Sequence, residues 1–170
     1  MPEAAITRGI RLRHLGGWLM LAAILIGLDQ VSKAAFVQML NYGERLHILS
    51  FFDFTLLYNT GAAFSFLADG AGGQRWFFTA IALIAAIVIV RLLYTHAGNT
   101  LFCAALSCIL GGALGNAIDR LAHGHVVDFL LFYWNDWYFP AFNVADIAIT
   151  CGAALLIFDE IRQARRRRVR

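Results

Sequence analysis

Four stretches of this chain carry little charge: residues 15–34, 74–93, 100–119 and 139–158. Each is about twenty residues long, enough at about 1.5 Å per residue to cross the hydrocarbon core of a bilayer as a helix. Helices apolar on every side are expected in lipid, so periodicity inside these runs adds nothing. A further apolar stretch, Leu46 to Ala68, has a different pattern. Asp53 sits in its middle, Asn59-Thr60-Gly61 breaks it, and Phe52-Asp53-Phe54-Thr55 alternates with the period of a strand. The pattern therefore predicts four spans. Leu46–Ala68 is predicted as strands and a short helix resting on the helix ends.

Charge fixes the direction of the spans. The chain has 170 residues, 60% hydrophobic and only 15% charged, with a mean hydropathy of +0.66. The net charge of +3 conceals clustering: Arg8, Arg11 and Arg13 precede the first run, and six arginines lie between Arg162 and Arg170. With four spans, the leader, Arg91 beside the Thr95–Asn99 turn, and the arginine tail share one side, which holds ten of the fourteen basic residues. A fifth span would carry the tail to the opposite side, against the positive-inside rule. Both termini are thus expected in the cytoplasm, with residues 38–73 and 120–138 as the outer segments. Tyr133, Trp134, Trp137 and Tyr138 suit the headgroup level on that outer side. An arginine tail beside spans this apolar reads as a cytoplasmic anchor rather than a nucleic-acid site, with Asp159 and Glu160 as local partners for it. The expectation is one integral membrane domain over residues 1–170.

Two other features are set aside. The basic leader before Leu15–Leu28 resembles a signal peptide, with Ser32-Lys33-Ala34 as a poor cleavage site. Asp29 and Lys33 fall where such a segment should be neutral, which favours a retained helix. Cys103, Cys108 and Cys151 lie in apolar runs without C-x-x-C spacing, so they suggest neither disulfides nor zinc.

With this topology the polar residues gather at one depth. Asp29, Lys33, Asn59, Asn116, Asp119, Arg120, Asp128, Asn143 and Asp146 all fall at the outer helix ends or just beyond them. A carboxylate at membrane depth costs several kcal/mol unless partnered, and so marks a functional site. Asn116, Asp119 and Arg120 share a helix face by their i, i+3, i+4 spacing, and Asp29 and Lys33 form an i, i+4 pair. Gly111 and Gly115 make a G-x-x-x-G that permits close helix approach. His123 and His125 form H-x-H, but a metal needs three or four converging ligands, and no nucleophile motif accompanies them. Neither metal nor cofactor is expected. Carboxylates remain. Two held close cannot both ionise cheaply, so one keeps a proton, and the pair acts as base and acid on water. Asp146 is the natural first member. Spacing leaves Asp128 and Asp119 as candidates for the second, and Arg120 beside Asp119 favours Asp128.

Five blocks then stand in order: Asp29-Gln30-Val31-Ser32-Lys33, Asn59-Thr60-Gly61-Ala62-Ala63-Phe64, Gly111 through Arg120, Val126-Val127-Asp128-Phe129 and Phe142-Asn143-Val144-Ala145-Asp146. Together they resemble the signature of the bacterial lipoprotein signal peptidase family, signal peptidase II. The resemblance implies an inner-membrane aspartic endopeptidase that cuts diacylglyceryl-modified prolipoproteins just before the modified cysteine. It places the catalytic pair on Asp128 and Asp146. Asn59, Asn116, Arg120 and Asn143 would hold substrate or the pair, while Asp29, Lys33 and Asp119 would support the site. Four helices, an outer β-cradle and a short outer helix are implied, in agreement with the topology above. The implied partners are the prolipoprotein and membrane lipid, with no nucleic acid and no implied oligomer. Ile147, where Ser or Thr is common, and the long arginine tail are the departures. A proton-coupled transporter using membrane carboxylates is the competing reading, but such proteins place them near the midplane between internal repeats.

Overall fold

The structure is a computed structural model describing residues 2–61 and 73–168. In order, its elements are α1 (Pro2–Met39), β1 (Arg45–Leu49), β2 (Phe52–Asn59), α2 (Gly73–Thr95), α3 (Thr100–His123), β3 (Val126–Trp134), β4 (Trp137–Tyr138) and α4 (Val144–Arg168). This is a helical membrane protein. Leu12–Met39 of α1, with α2 and α3, is long and apolar enough to cross a bilayer. The fourth helix has 25 residues but carries Asp146, Asp159, Glu160 and the arginines.

Helix α3 is central and packs on α1, α2 and α4. Glycines make this possible. A Cβ on Gly111 would lie 2.8 Å from Leu25 Cβ of α1, and one on Gly112 would run into the Ala145 carbonyl of α4. The apolar core of the bundle follows from these approaches: Ala22, Ile89, Leu93, Cys103, Leu106 and Leu110 form one buried cluster. At its start α3 is capped by Asn99, whose side chain accepts the Phe102 N–H at 3.3 Å. At its end Gly124 takes the left-handed conformation at φ 80° and returns its N–H to the Arg120 carbonyl at 3.0 Å. That turn delivers the chain straight into β3.

The strands from both inter-helix segments join in a single antiparallel sheet, ordered β1-β2-β3-β4. Strand β1 is exposed throughout, whereas Val126 to Phe129 of β3 are all buried. The second pattern arises because the end of α1 covers this part of the sheet. Phe36 stacks on Phe129 with centroids 4.3 Å apart, and Leu40, Leu56 and Val127 form a small core beside them. Between Phe54↔Leu130 and Leu57↔Asp128 the strand β2 holds one extra residue. Such a bulge re-aims neighbouring side chains, and here it lies directly beside Asp128.

Two boundaries differ from expectation. The first helix runs on past Ala34 to Met39, which brings Phe36 under the sheet. The fourth starts at Val144 rather than Phe139. Before it, Phe142 exchanges hydrogen bonds with Leu130, donating at 3.0 Å and accepting at 2.9 Å. Hydropathy cannot separate an apolar extended piece from the helix that follows it. The short helix expected before Ala68, with the Ala62-Ala63-Phe64 part of its block, lies outside the described residues.

Candidate active site

Asn143-Val144-Ala145-Asp146 opens α4 as a capping box. Asn143 Oδ1 accepts the Asp146 N–H at 3.0 Å, and Asp146 Oδ2 accepts the Asn143 N–H at 3.3 Å. The same asparagine reaches across to the sheet. Fully buried, it donates from Nδ2 to Asp128 Oδ1 at 2.7 Å and to the Val127 carbonyl at 3.2 Å. One residue thus fixes both aspartates, one through its backbone and one through its side chain. Asp146 Oδ1 also accepts from Asn116 Nδ2 at 2.8 Å.

The two carboxyls have different surroundings. Asp128 is 3% exposed on β3, and burial first, then the charge of Asp146, pushes its pKa up to about 7. Hydrogen bonds from Asn59 and Asn143 and the charge of Lys33 oppose that rise. Asp146 is half-buried, in the first turn of a helix whose free N–H groups favour negative charge. A carboxyl raised to about 7 beside a second carboxyl at a helix N-terminus is an arrangement suited to acid–base work on water.

Behind the pair lies a buried ionic cluster. Lys33 Nζ is 2.8 Å from Asp29 Oδ2, 2.8 Å from Asp119 Oδ2 and 3.0 Å from Asn116 Oδ1. Asp29 Oδ1 accepts the Ala145 N–H at 2.9 Å, and Asp119 Oδ2 accepts the Val127 N–H at 3.1 Å. The spacing argument left Asp119 open as a member of the pair and tied its charge to Arg120. Its partner in the structure is Lys33, and its place is one shell behind Asp128. Gln30, not singled out by the sequence, donates to Asp119 Oδ1 at 2.8 Å and to the Gly115 carbonyl at 3.2 Å. Its position next to Asp29 in a polar block was the available signal.

The remaining candidates surround the pair more loosely. Arg120 donates to the Asn116 carbonyl at 3.3 Å, and its guanidinium lies 5.1 Å from the Phe78 ring centroid. Asn59 is exposed at the end of β2, and its Oδ1 accepts the Gly61 N–H at 2.8 Å. His125 stacks on Tyr58 at 4.2 Å, and burial pulls its pKa down, with His123 adding to the effect. Among the described residues no three or more His, Cys, Asp or Glu side chains are placed to hold a metal ion. Asp159, expected to partner the arginine tail, is buried, and among the described residues it accepts from Asn99 at 3.0 Å and Gln163 at 2.7 Å. Burial favours neutral amide donors that need no hydration over guanidinium groups that do.

Comparison with known proteins places this geometry. A family model described as signal peptidase (SPase) II matches residues 21–162. The lipoprotein signal peptidase of Ralstonia nicotianae is 57% identical over 152 residues, covering 89% of this chain and 88% of the relative. That of Cupriavidus necator is 55% identical over 149 residues, 88% of this chain and 85% of the relative. That of Paraburkholderia phytofirmans is 54% identical over 164 residues, 96% and 93% of the two chains. Among solved structures, a bacterial membrane enzyme determined by the in meso method at 2.3 Å resolution superposes with a TM-score of 0.77. It shares 32% identity, over 88% of this chain and 90% of that one. The chain with this pair of aspartates belongs to the signal peptidase II family.

Proposed function

We propose that this protein removes the signal peptide from diacylglyceryl-modified prolipoproteins, cutting just before the modified cysteine, with water activated between Asp128 and Asp146. The observation that carries this reading is the bridge through Asn143, which holds one carboxyl at the base of a helix and the other on a buried strand. Asp146 takes a proton from water as the oxygen attacks the scissile carbonyl. Asp128 gives its proton to the developing oxyanion. On collapse the proton taken by Asp146 passes to the leaving amine, the C–N bond breaks, and one hydroxyl of the gem-diol returns its proton to Asp128 as the carbonyl re-forms. Arg120 and Asn59, at the rim of the pair, would hold substrate carbonyls.

The reading includes an orientation. Four spans, with α4 as the fourth and both termini cytoplasmic, put the sheet and the pair at the outer leaflet of the inner membrane. Support comes from the basic residues gathered at the other end of the bundle and from the aromatic rings on β3 and β4. Acyl chains would anchor the substrate's cysteine at this same depth. Such positioning can contribute several kcal/mol to the lowering of the barrier.

An electrophoretic shift assay in lipid tests it. A diacylglyceryl-modified prolipoprotein and its unmodified form are offered to wild type, Asp128→Asn and Asp146→Asn. Cleavage of the modified form alone is expected, with loss of at least about 1,000-fold in both variants. A folded wild type that cleaves neither form would return attention to proton flux and the transporter reading. A reporter fused after Arg170 checks the topology; a periplasmic signal would overturn it.

A further inference from the structure

We propose that Lys33 is a positioning residue for the aspartate pair, holding the Asn116 side chain so that its NH2 group, not its carbonyl oxygen, faces Asp146. The inference rests on the mechanism proposed above and adds to it the device that decides which aspartate serves as the base.

An asparagine side chain is nearly symmetric in shape, so only its partners choose which end points where. Lys33 has three hydrogens and no acceptor, and it spends them on Asp29 Oδ2, Asp119 Oδ2 and Asn116 Oδ1. The Asn116 side-chain oxygen therefore faces Lys33, with a longer contact from Asn143 Nδ2 at 3.3 Å, and this turns Nδ2 onto Asp146 Oδ1 at 2.8 Å. With Asp146 Oδ2 already accepting the Asn143 N–H, both oxygens of Asp146 act as acceptors, as a carboxylate requires. Turned over, the amide would aim its carbonyl at Asp146, an arrangement that only a protonated acid satisfies. Water would then face two acids and no base.

Lys33 also has a structural task that must be separated from this one. Asp29 holds the N–H of Ala145, which precedes Asp146, and Asp119 holds the N–H of Val127, which precedes Asp128. The charged groups facing this cluster are Asp29 and Lys33 on α1, Asp119 and Arg120 on α3, Asp128 on β3 and Asp146 on α4. Removing Lys33 alone would strand two buried acids, a change expected to unfold the protein. The triple variant Asp29→Asn, Lys33→Met, Asp119→Asn avoids this. It removes all three charges and keeps an amide oxygen for each backbone N–H.

The experiment measures kcat and KM against pH on the diacylglyceryl-modified prolipoprotein, with the full-length chain in lipid and wild-type cleavage as the control. For the triple variant, melting near the wild-type temperature and KM within about threefold are expected. In it, kcat should fall about 100-fold, and the acid limb of the pH–rate profile should move up by about one unit. Wild-type kcat with an unmoved acid limb would reduce Lys33 to a fold tie and overturn the proposal. Asn116→Ala leaves the Lys33 ion pairs in place and should show the same displaced limb. An unmoved limb and unchanged kcat in that variant would overturn the proposal even if the triple variant failed to fold. A wild type without activity would count against the peptidase mechanism, not against the orientation of Asn116.

Discussion

Both ends of the helix bundle bury carboxylates, and they do so differently. At the arginine end Asp159 has its Oδ2 held by the neutral amides of Asn99 and Gln163 and pairs with no arginine among the described residues. At the sheet end Lys33 pairs with Asp29 and Asp119, and beside them burial first, then the charge of Asp146, raises the pKa of Asp128. A buried acid with two amide donors ties helices together. Acids packed against each other keep a proton in play and can pass it to a substrate. The difference lies in the neighbours, since Asp159 and Asp128 are alike buried and hydrogen-bonded.

Small changes at each end should separate the two roles. The largest contrast is expected between glycines. A Cβ on Gly115 would lie 2.6 Å from Asp29 Oδ2, whereas one on Gly98 meets nothing within 4 Å. Gly115→Ala should displace the ionic cluster and cut cleavage by about 100-fold, the scale set by a misplacement of about 1 Å. Gly98→Ala should leave cleavage and melting unchanged, and equal losses in the two would erase the distinction between the ends.

The next effect concerns pH. With Asp128 raised to about 7, the folded state binds a proton that the unfolded chain has already released. Stability contributed by this group is therefore greatest below about pH 4, falls as pH rises towards about 7, and is flat above it. Asp128→Asn should be inactive yet more stable than wild type by about 2–4 kcal/mol at pH 8, with the gain gone near pH 4. Chemical denaturation at the two pH values checks this. Wild-type cleavage should also decline as pH rises through about 7, where Asp128 loses its proton. The smallest change is expected at the arginine end. Asp159→Asn should cost about 1 kcal/mol in melting experiments, leaving cleavage within about twofold.

Much of this arrangement was legible in the sequence. Apolar runs interrupted by single polar residues located three membrane-long helices, and the period-two alternation of Phe52 to Thr55 located a strand. Asn143 and Asp146 were visible as polar residues one turn apart, and N-x-x-D before an apolar run is a capping signature. Other features left no pattern to read. The extra residue in β2 at Thr55 and Leu56 adds one more apolar position to an apolar strand. Phe139 to Phe142 are apolar like the helix that follows, so their pairing with β3 did not show in hydropathy, and only Pro140 marks a break there. One partner of Asp159, Asn99, lies sixty residues away, so no local spacing could point to it.

The junction between sheet and bundle has a pharmacological consequence. One aspartate rides on β3 and the other on α4, and the sheet is seated on α1 through the stacked rings of Phe36 and Phe129. An inhibitor therefore has no need to compete for either carboxyl. A hydrophobic compound that reached Phe36 from the lipid would press on the strand that carries Asp128, so the seat of the sheet on α1 is a second handle on the pair, apart from the carboxyls themselves.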